Sequence, residues 1–307
     1  MINIDDIKKF FRGSIALSEP LSNHTYIRIG GPADYYFEPV NREDAIAVIT
    51  YLQRQEVQLT VIGRGSNLLV SDDGIRGAIV NLERGLKSMH IERTRVHAEA
   101  GITLLRFVEF CAQKGLLGVE MLGGIPGTIG GAIAMNAGAF GGEISDHLID
   151  IEILRDGFLL VLKKDQVGFS YRHTRLQKND VVLSASFEMP SGDPEEIMKI
   201  RNELILKRNR TQPTNLPNSG SMFKNPPGAF AAKLIEEAGL KGTRCGNAQI
   251  SEKHANFIVN LGGATANDVM HLLATAQKTV REIFEVTLEL EVKLIGFPDA
   301  GRKELSV

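Results

Sequence analysis

Three things are scarce in this 307-residue sequence. Cysteine is one: Cys111 and Cys245 lie far apart with no C-x-x-C partner. That excludes a disulfide framework and a cysteine-built zinc site, and it points to a reduced, cytoplasmic protein without metal. Cys111 falls on the apolar face of an expected helix and reads as packing. Excess positive charge is another: 35 Lys plus Arg against 37 Asp plus Glu leave a net charge of −2, which argues against nucleic acid as the main partner. Long apolar runs are the third. None approaches the roughly 20 uncharged residues of a membrane helix. The charged start Met1-Ile2-Asn3-Ile4-Asp5-Asp6 has no apolar segment of the signal-peptide kind. No internal repeat or low-complexity tract occurs. With 43% hydrophobic and 23% charged residues the chain reads as globular, and its length predicts two or three domains.

Glycine, by contrast, is concentrated. Eight glycines fall between 123 and 142, at 123, 124, 127, 130, 131, 138, 141 and 142. Glycine buries no side chain, so such a run builds no core, but it lets backbone N–H groups approach a bulky anion. A flexible linker would be serine-rich and would not need Ile125, Ile129, Ile133 and Met135. The run therefore reads as an ordered loop around a ligand. A second loop, Gly63-Arg64-Gly65-Ser66-Asn67-Leu68, follows an apolar strand at 57–62 and adds side-chain donors suited to phosphate. Leu68 stands where the third glycine of a Rossmann fingerprint belongs, and no Gly-Lys-Ser/Thr follows. A dinucleotide would thus bind on neither of the two commonest nucleotide folds.

The rest alternates helix and strand. Asn41 caps an expected helix to Glu56 with Ala45, Ile46, Val48, Ile49 and Leu52 inward. Strands are expected at 78–82 and 96–100, then a helix over 104–115 with Leu105, Val108, Phe110 and Cys111 inward. Alternation at 148–154, 158–162 and 181–187 predicts an antiparallel sheet. Asp193-Pro194-Glu195-Glu196 opens a helix ending in Lys207-Arg208-Asn209-Arg210. The stretch 211–220, with Pro213 and Pro217, marks a domain boundary. Helices over 230–238 and 265–284 and a strand over 287–295 follow.

Three further segments carry reactive side chains: Tyr171-Arg172; Gly220-Ser221-Met222-Phe223-Lys224-Asn225-Pro226; and Glu289-Leu290-Glu291-Val292-Lys293. The second is not a hydrolase elbow, because Phe223 occupies the place of the closing glycine. On their own, the arginine reads as a surface residue and the last segment as a strand with Glu289, Glu291 and Lys293 on its wet face.

Taken together, 63–70, 123–142, Tyr171-Arg172, 220–226 and 289–296 occur in the order and context of the UDP-N-acetylenolpyruvoylglucosamine reductase (MurB) family, and the chain resembles that family from about Thr25 to Gly296. The resemblance implies an α+β protein. It would have the two-subdomain FAD-binding fold of the vanillyl-alcohol oxidase/p-cresol methylhydroxylase type, plus a C-terminal α+β substrate domain. Expected boundaries are 1–83 and 84–205 for the FAD subdomains and 206–291 for the substrate domain, with the tail 292–307 returning to the first. The implied reaction uses NADPH and FAD to reduce UDP-N-acetylglucosamine enolpyruvate to UDP-N-acetylmuramate, a peptidoglycan precursor. Hydride goes from flavin N5 to C3 and a proton to C2. By similarity Ser221 gives that proton, Arg172 holds the substrate carboxylate, and Glu291 polarises the intermediate or assists proton delivery. FAD would be held by Gly63, Arg64, Gly65, Ser66, Asn67, Leu68, Gly123, Gly124, Pro126, Gly127, Thr128, Gly131, Ala132, Asn136 and Gly138. No histidine or cysteine lies in either loop, so the flavin is expected to be non-covalent. Tyr171, Arg208 (or Arg210), Lys224, Asn225 and Lys293 are expected at the substrate, with Lys224 and Asn225 poising Ser221. Two departures stand out: Phe140 where the family commonly has tyrosine, and Lys293 where it often has arginine. The 49 positions between Arg172 and Ser221 fit the compact variant, which lacks an extra substrate-capping loop. A cytoplasmic monomer is expected. The alternatives are a flavin oxidase of the same superfamily and a non-catalytic nucleotide-binding protein.

Overall fold

The computed structural model describes residues 2–298 and divides into two compact units. Unit 1 takes the chain up to Leu17, then Tyr35–Arg64 and Gly77–Arg208. Unit 2 takes Ser18–Asp34, Gly65–Arg76 and the described chain from Asn209 onward.

In unit 1, Asn41 caps the Arg42–Arg54 helix by accepting a hydrogen bond from the Asp44 amide, as its side chain predicts. Ala45, Val48, Ile49 and Leu52 are fully buried. The helix leads into strand Leu59–Ile62, which runs parallel to Ile75–Asn81 in a four-stranded sheet ordered Ser14–Pro20, Pro32–Glu38, Ile75–Asn81, Leu59–Ile62. A second, antiparallel sheet has the order Phe158–Lys163, Leu148–Arg155, Val181–Glu188, Arg95–Glu99, Met89–Glu92. Its three alternating segments are the ones the sequence predicts. One core serves this unit, including Phe37, Ile49, Leu104, Phe107, Ile129, Ile133, Ile151, Ile153 and Phe187.

The Leu104–Gln113 helix corrects its expected face. Leu104, Phe107, Val108, Cys111 and Ala112 are buried, whereas Leu105 is 43% exposed. Thr103 caps the helix by accepting from the Arg106 amide, and of the two overlapping apolar stripes the sequence offers, packing against the core takes the 104-107-108-111 stripe. Burial and the neighbouring Glu120 push the Cys111 thiol up to about 12, so it stays protonated and unreactive.

In unit 2, helices Ala231–Glu237 and Ala266–Phe284 share a core with the sheet Arg244–Cys245, Ala248–Ile250, Ile258–Asn260. Thr265 and Asp268 form a capping box at the second helix, and Asp72 accepts from the Ala266 and Asn267 amides at 2.8 and 3.1 Å. The strand expected over 287–295 is shorter, Lys293–Ile295, and it pairs in parallel with Leu68–Val70. Upstream, Leu288 and Val292 are buried and Leu290 forms an isolated bridge to Phe223. Alternation reports which side chains face inward, not whether the backbone continues a ladder.

The buried Asp44 carboxylate accepts from the amides of Arg12 (2.8 Å) and Val40 (3.1 Å), fastening two loops onto the helix start. Asp44→Ala leaves both donors without a partner and should lower stability by about 2–3 kcal/mol, read as a shift of the urea midpoint at unchanged slope.

Candidate active site

In unit 1 the Leu59–Ile62 strand ends at Gly63, and a Cβ on Gly63 would lie 2.3 Å from Thr128 Oγ1. Only glycine lets the two loops meet there. Thr128 is buried and caps the Ile129–Met135 helix by accepting from the Gly131 amide at 3.4 Å. The Leu104 amide donates to Gly127, while Ile129 and Gly130 donate to the carbonyls of Ile102 and Ala100, at 2.8–2.9 Å. These bonds lace the run onto the chain that follows strand Arg95–Glu99. Ile129 and Ile133 are fully buried, which accounts for the apolar residues that a linker would lack. Gly123 is buried facing Val108, Gly124 lies under the Arg208 side chain, and Ala132 is buried in the helix. Gly131 is exposed, and a Cβ on it would meet only Thr128 Oγ1, at 3.6 Å. Gly131 thus presents backbone with little side-chain cover next to the close contact of Gly63 with Thr128, which fits a large anionic cofactor. Arg64 pairs with Glu83 at 3.3 Å.

The same run organises Arg172. The helix ends at Asn136, which is left-handed (φ 44°) and fully buried. Asn136 Nδ2 donates to Glu143 Oε2 at 2.7 Å and to the Ser170 carbonyl at 3.0 Å, while its Oδ1 is buried without a partner among the described residues. Both contacts of the amide nitrogen are acceptors, so the amide orientation is fixed. Arg172, also at positive φ (53°), donates from Nη2 to the Gly138 carbonyl at 2.7 Å and from Nη1 to the Asn136 carbonyl at 3.4 Å. Its guanidinium is 4.0 Å from Glu143 Oε1 and stacks at 5.0 Å on the exposed Tyr171 ring. Glu143 escaped the sequence reading, since nothing in its spacing signals that it meets Asn136 and Arg172. Phe140, 44% exposed at the tip of the hairpin, has Lys207 Nζ over its ring at 5.3 Å.

Unit 2 holds the other loops. Gly65 is left-handed (φ 59°), and a Cβ there would lie 2.2 Å from the His24 carbonyl oxygen. Ser66 follows in the turn. Asn67 Nδ2 donates to the Glu291 carbonyl, and the Lys293 amide donates to the Asn67 carbonyl, both at 3.0 Å. Ser219 Oγ donates to the Leu68 carbonyl at 2.9 Å. Beyond it, Gly220 (φ 73°) turns the chain into Ser221. The Glu291 amide donates to the Met222 carbonyl and the Lys224 amide to the Glu289 carbonyl, each at 2.8 Å. Asn256, also missed from sequence, clamps Phe223 by accepting from its amide and donating to its carbonyl. Unit 2 therefore brings Asn67, Ser221, Lys224, Glu291 and Lys293 onto neighbouring stretches of backbone. Lys224 Nζ reaches Glu289 Oε2 at 3.2 Å, and the exposed Asn225 accepts from the Ala231 amide with its Oδ1. The Lys293 ammonium is held below its ordinary pKa by desolvation and then by Lys224, with Glu291 opposing, although much of the side chain is exposed.

Comparison with known proteins follows these parts. Residues 33–160 match a family described as FAD binding domain, and residues 212–295 match UDP-N-acetylenolpyruvoylglucosamine reductase, C-terminal domain. The UDP-N-acetylenolpyruvoylglucosamine reductase of Chloroherpeton thalassium is 46% identical, across 99% of this chain and all of its own. That of Caldanaerobacter subterraneus is 43% identical across 96% and 98%. The crystal structure of the Thermus caldophilus enzyme superimposes with a TM-score of 0.80 at 36% identity, covering 93% of this chain and all of that one.

Glu143→Ala leaves one of the two Asn136 amide N–H groups without its acceptor and removes the carboxylate beside Arg172. It should cost about 1–3 kcal/mol in a denaturant titration, whereas Glu143→Gln, which keeps an acceptor for Nδ2, should recover most of that loss.

Proposed function

The chain belongs to the UDP-N-acetylenolpyruvoylglucosamine reductase family, and from that premise we propose how its residues carry the reaction. The protein is an FAD-dependent oxidoreductase of peptidoglycan precursor synthesis, with UDP-N-acetylglucosamine enolpyruvate and NADPH as substrates. When bound, FAD would supply the hydride-transfer chemistry between NADPH and C3 of the enolpyruvyl group.

The glycine-lined surface at Gly63, Gly127, Thr128 and Gly131 would hold the cofactor, with Arg64, Gly65, Ser66, Asn67, Leu68, Gly123, Gly124, Pro126, Ala132, Asn136 and Gly138 completing its site. Neither loop contains histidine or cysteine, so the attachment is non-covalent. We assign cofactor binding to 1–83 and 84–205 and substrate binding to 206–291. We assign the expected return of the tail to the first part over 292–298 only, since residues 299–307 lie outside the described residues. Pairing of Lys293–Ile295 with Leu68–Val70 supports that return.

Addition of hydride at C3 drives negative charge onto the substrate carboxylate. Arg172 meets that charge with a planar, permanently charged fork, oriented beforehand by the carbonyls of Asn136 and Gly138. Ser221 Oγ–H donates the proton to C2. A serine is a weak acid, and the cations Lys224 and Lys293 on adjacent backbone favour its anion. Glu291 assists delivery of the replacement proton. Asn225 and Lys293 contact the substrate, with Arg208 toward the diphosphate and Tyr171 beside Arg172. The observation that carries this reading is the lacing of the Gly220–Pro226 loop to 289–292 through Met222 and Lys224, in which the Glu291 amide donates to Met222, the residue after Ser221. A cytoplasmic location accords with it, and among the described residues no helix is long and apolar enough to cross a membrane.

An anaerobic visible spectrum tests the whole reading. NADPH should bleach the flavin band, and only the enolpyruvyl nucleotide should restore it. Restoration by oxygen alone would make the protein an oxidase. Ser221→Ala should leave bleaching by NADPH intact and slow recovery with substrate about a thousandfold. Arg172→Ala should slow the same half-reaction by about a hundredfold or more, and equal damage to the NADPH half would reduce the arginine to shaping the pocket.

A further inference from the structure

Three non-glycine residues of unit 1 hold a left-handed backbone around one short hairpin: Asn136 (φ 44°), Phe140 (φ 52°) and Arg172 (φ 53°). A side chain makes that conformation costly, and it persists where the surroundings over-determine it, as they do at many functional sites. Glu143 meets this arrangement at three points. It stands opposite Gly138 in the ladder of Gly138–Ala139 with Gly142–Glu143. Its Oε2 accepts from Asn136 Nδ2 at 2.7 Å, and its Oε1 lies 4.0 Å from Arg172 Nη1. Its backbone is held on both sides, since the Glu143 amide donates to Asp146 Oδ2 and the Ile144 amide to the Ala137 carbonyl, each at 2.8 Å. A Cβ on Gly138 would lie 2.5 Å from the Gly142 carbonyl oxygen and 3.0 Å from Glu143 Cγ. Glycine there lets the Glu143 side chain lie against the very backbone whose carbonyl receives Arg172.

We infer that Glu143 is a positioning residue for reduction of the enolpyruvyl group: its negative charge, held at a fixed distance, aims the Arg172 guanidinium at the substrate carboxylate. The inference deepens the role proposed for Arg172 and rests on it. The carbonyls of Asn136 and Gly138 accept from the guanidinium, but they are neutral and leave its charge in place. The arginine side chain is 16% exposed, so water screens that charge incompletely, and a carboxylate 4.0 Å away is felt more strongly than at an open surface. At that distance the oxygen is beyond hydrogen-bond reach, so the pair acts through charge and not through a bidentate grip on the fork. The same carboxylate holds the Asn136 amide, whose Oδ1 is buried without a partner among the described residues. One side chain therefore sets both the carbonyl that orients Nη1 and the charge that attracts it. Glutamine would keep the shape and the acceptor for Asn136 but not the charge, which separates a scaffold from an aiming device.

Anaerobic stopped-flow on the FAD-loaded, NADPH-reduced protein tests it, with the enolpyruvyl nucleotide varied so that limiting rate and half-saturation separate. Glu143→Gln should stay close to the parent protein in denaturant midpoint, flavin content and rate of bleaching by NADPH. Its limiting rate of flavin reoxidation should nevertheless fall about tenfold, with no rise in the half-saturating concentration. Glu143→Ala, which also strips Asn136 of an acceptor, should be slower still. In the Arg172→Ala background Glu143→Gln should slow nothing further, because the carboxylate acts through the arginine. An undiminished limiting rate for Glu143→Gln beside a slow Arg172→Ala would overturn this inference and leave the arginine's role standing. So would a tenfold loss that persists without Arg172, or a change confined to half-saturation. A fast Arg172→Ala would overturn the arginine's role and this inference together.

Discussion

At Gly63 a methyl group would stand 2.3 Å from Thr128 Oγ1, and the glycine run of unit 1 is arranged around that bare contact. Because Thr128 is pinned there, its hydroxyl can cap the Ile129–Met135 helix, and the helix can sink Ile129 and Ile133 into the core. Because the helix is fixed, its left-handed end at Asn136 lies where Asn136 meets Glu143 and Ser170, and where two carbonyls of the next turn receive Arg172. A backbone approach at one glycine thus propagates through a cap and a helix terminus to a guanidinium. The core supplies the rigidity, and the glycines supply nearness to a ligand.

Unit 2 solves a different problem. In the proposed role of Ser221 as proton donor, its surroundings must lower the cost of a transient negative charge, since serine has little acidity. The loop bearing Ser221 makes few side-chain contacts of its own and is positioned by backbone: Gly220 to the Asn218 side chain, Met222 to Asn256 and Glu291, Lys224 to Glu289. Asn256, buried with both ends of its amide bonded to Phe223, holds that geometry from behind. Lys293 is held below its ordinary pKa by desolvation and then by Lys224, and the two cations add a field that favours anions.

Local signals were legible where local physics decides. The Asn41 cap, the Thr265 capping box and the alternating strands at 148–155, 158–163 and 181–188 follow from side chains a few positions apart. The 104–113 face was misread because two apolar stripes compete on one helix and only packing chooses between them. The functional roles were less legible. Arg172 read as a surface arginine until family resemblance raised it, because its carbonyl acceptors lie 36 and 34 positions upstream. Glu143 and Asn256 had no signature, since a lone polar residue reveals its partner only when the chain has folded.

The two departures from the family pattern acquire a physical meaning in this setting. Phe140 lacks the hydroxyl of tyrosine, yet its ring sits beneath the Lys207 ammonium at 5.3 Å, so an aromatic face there still engages a cation without a polar handle. Lys293 differs from arginine more deeply. A guanidinium stays charged in any protein environment, whereas an ammonium yields its proton when desolvated beside another cation, and Lys293 is already pushed in that direction. The ammonium at this position thus responds to its surroundings in a way that a guanidinium would not.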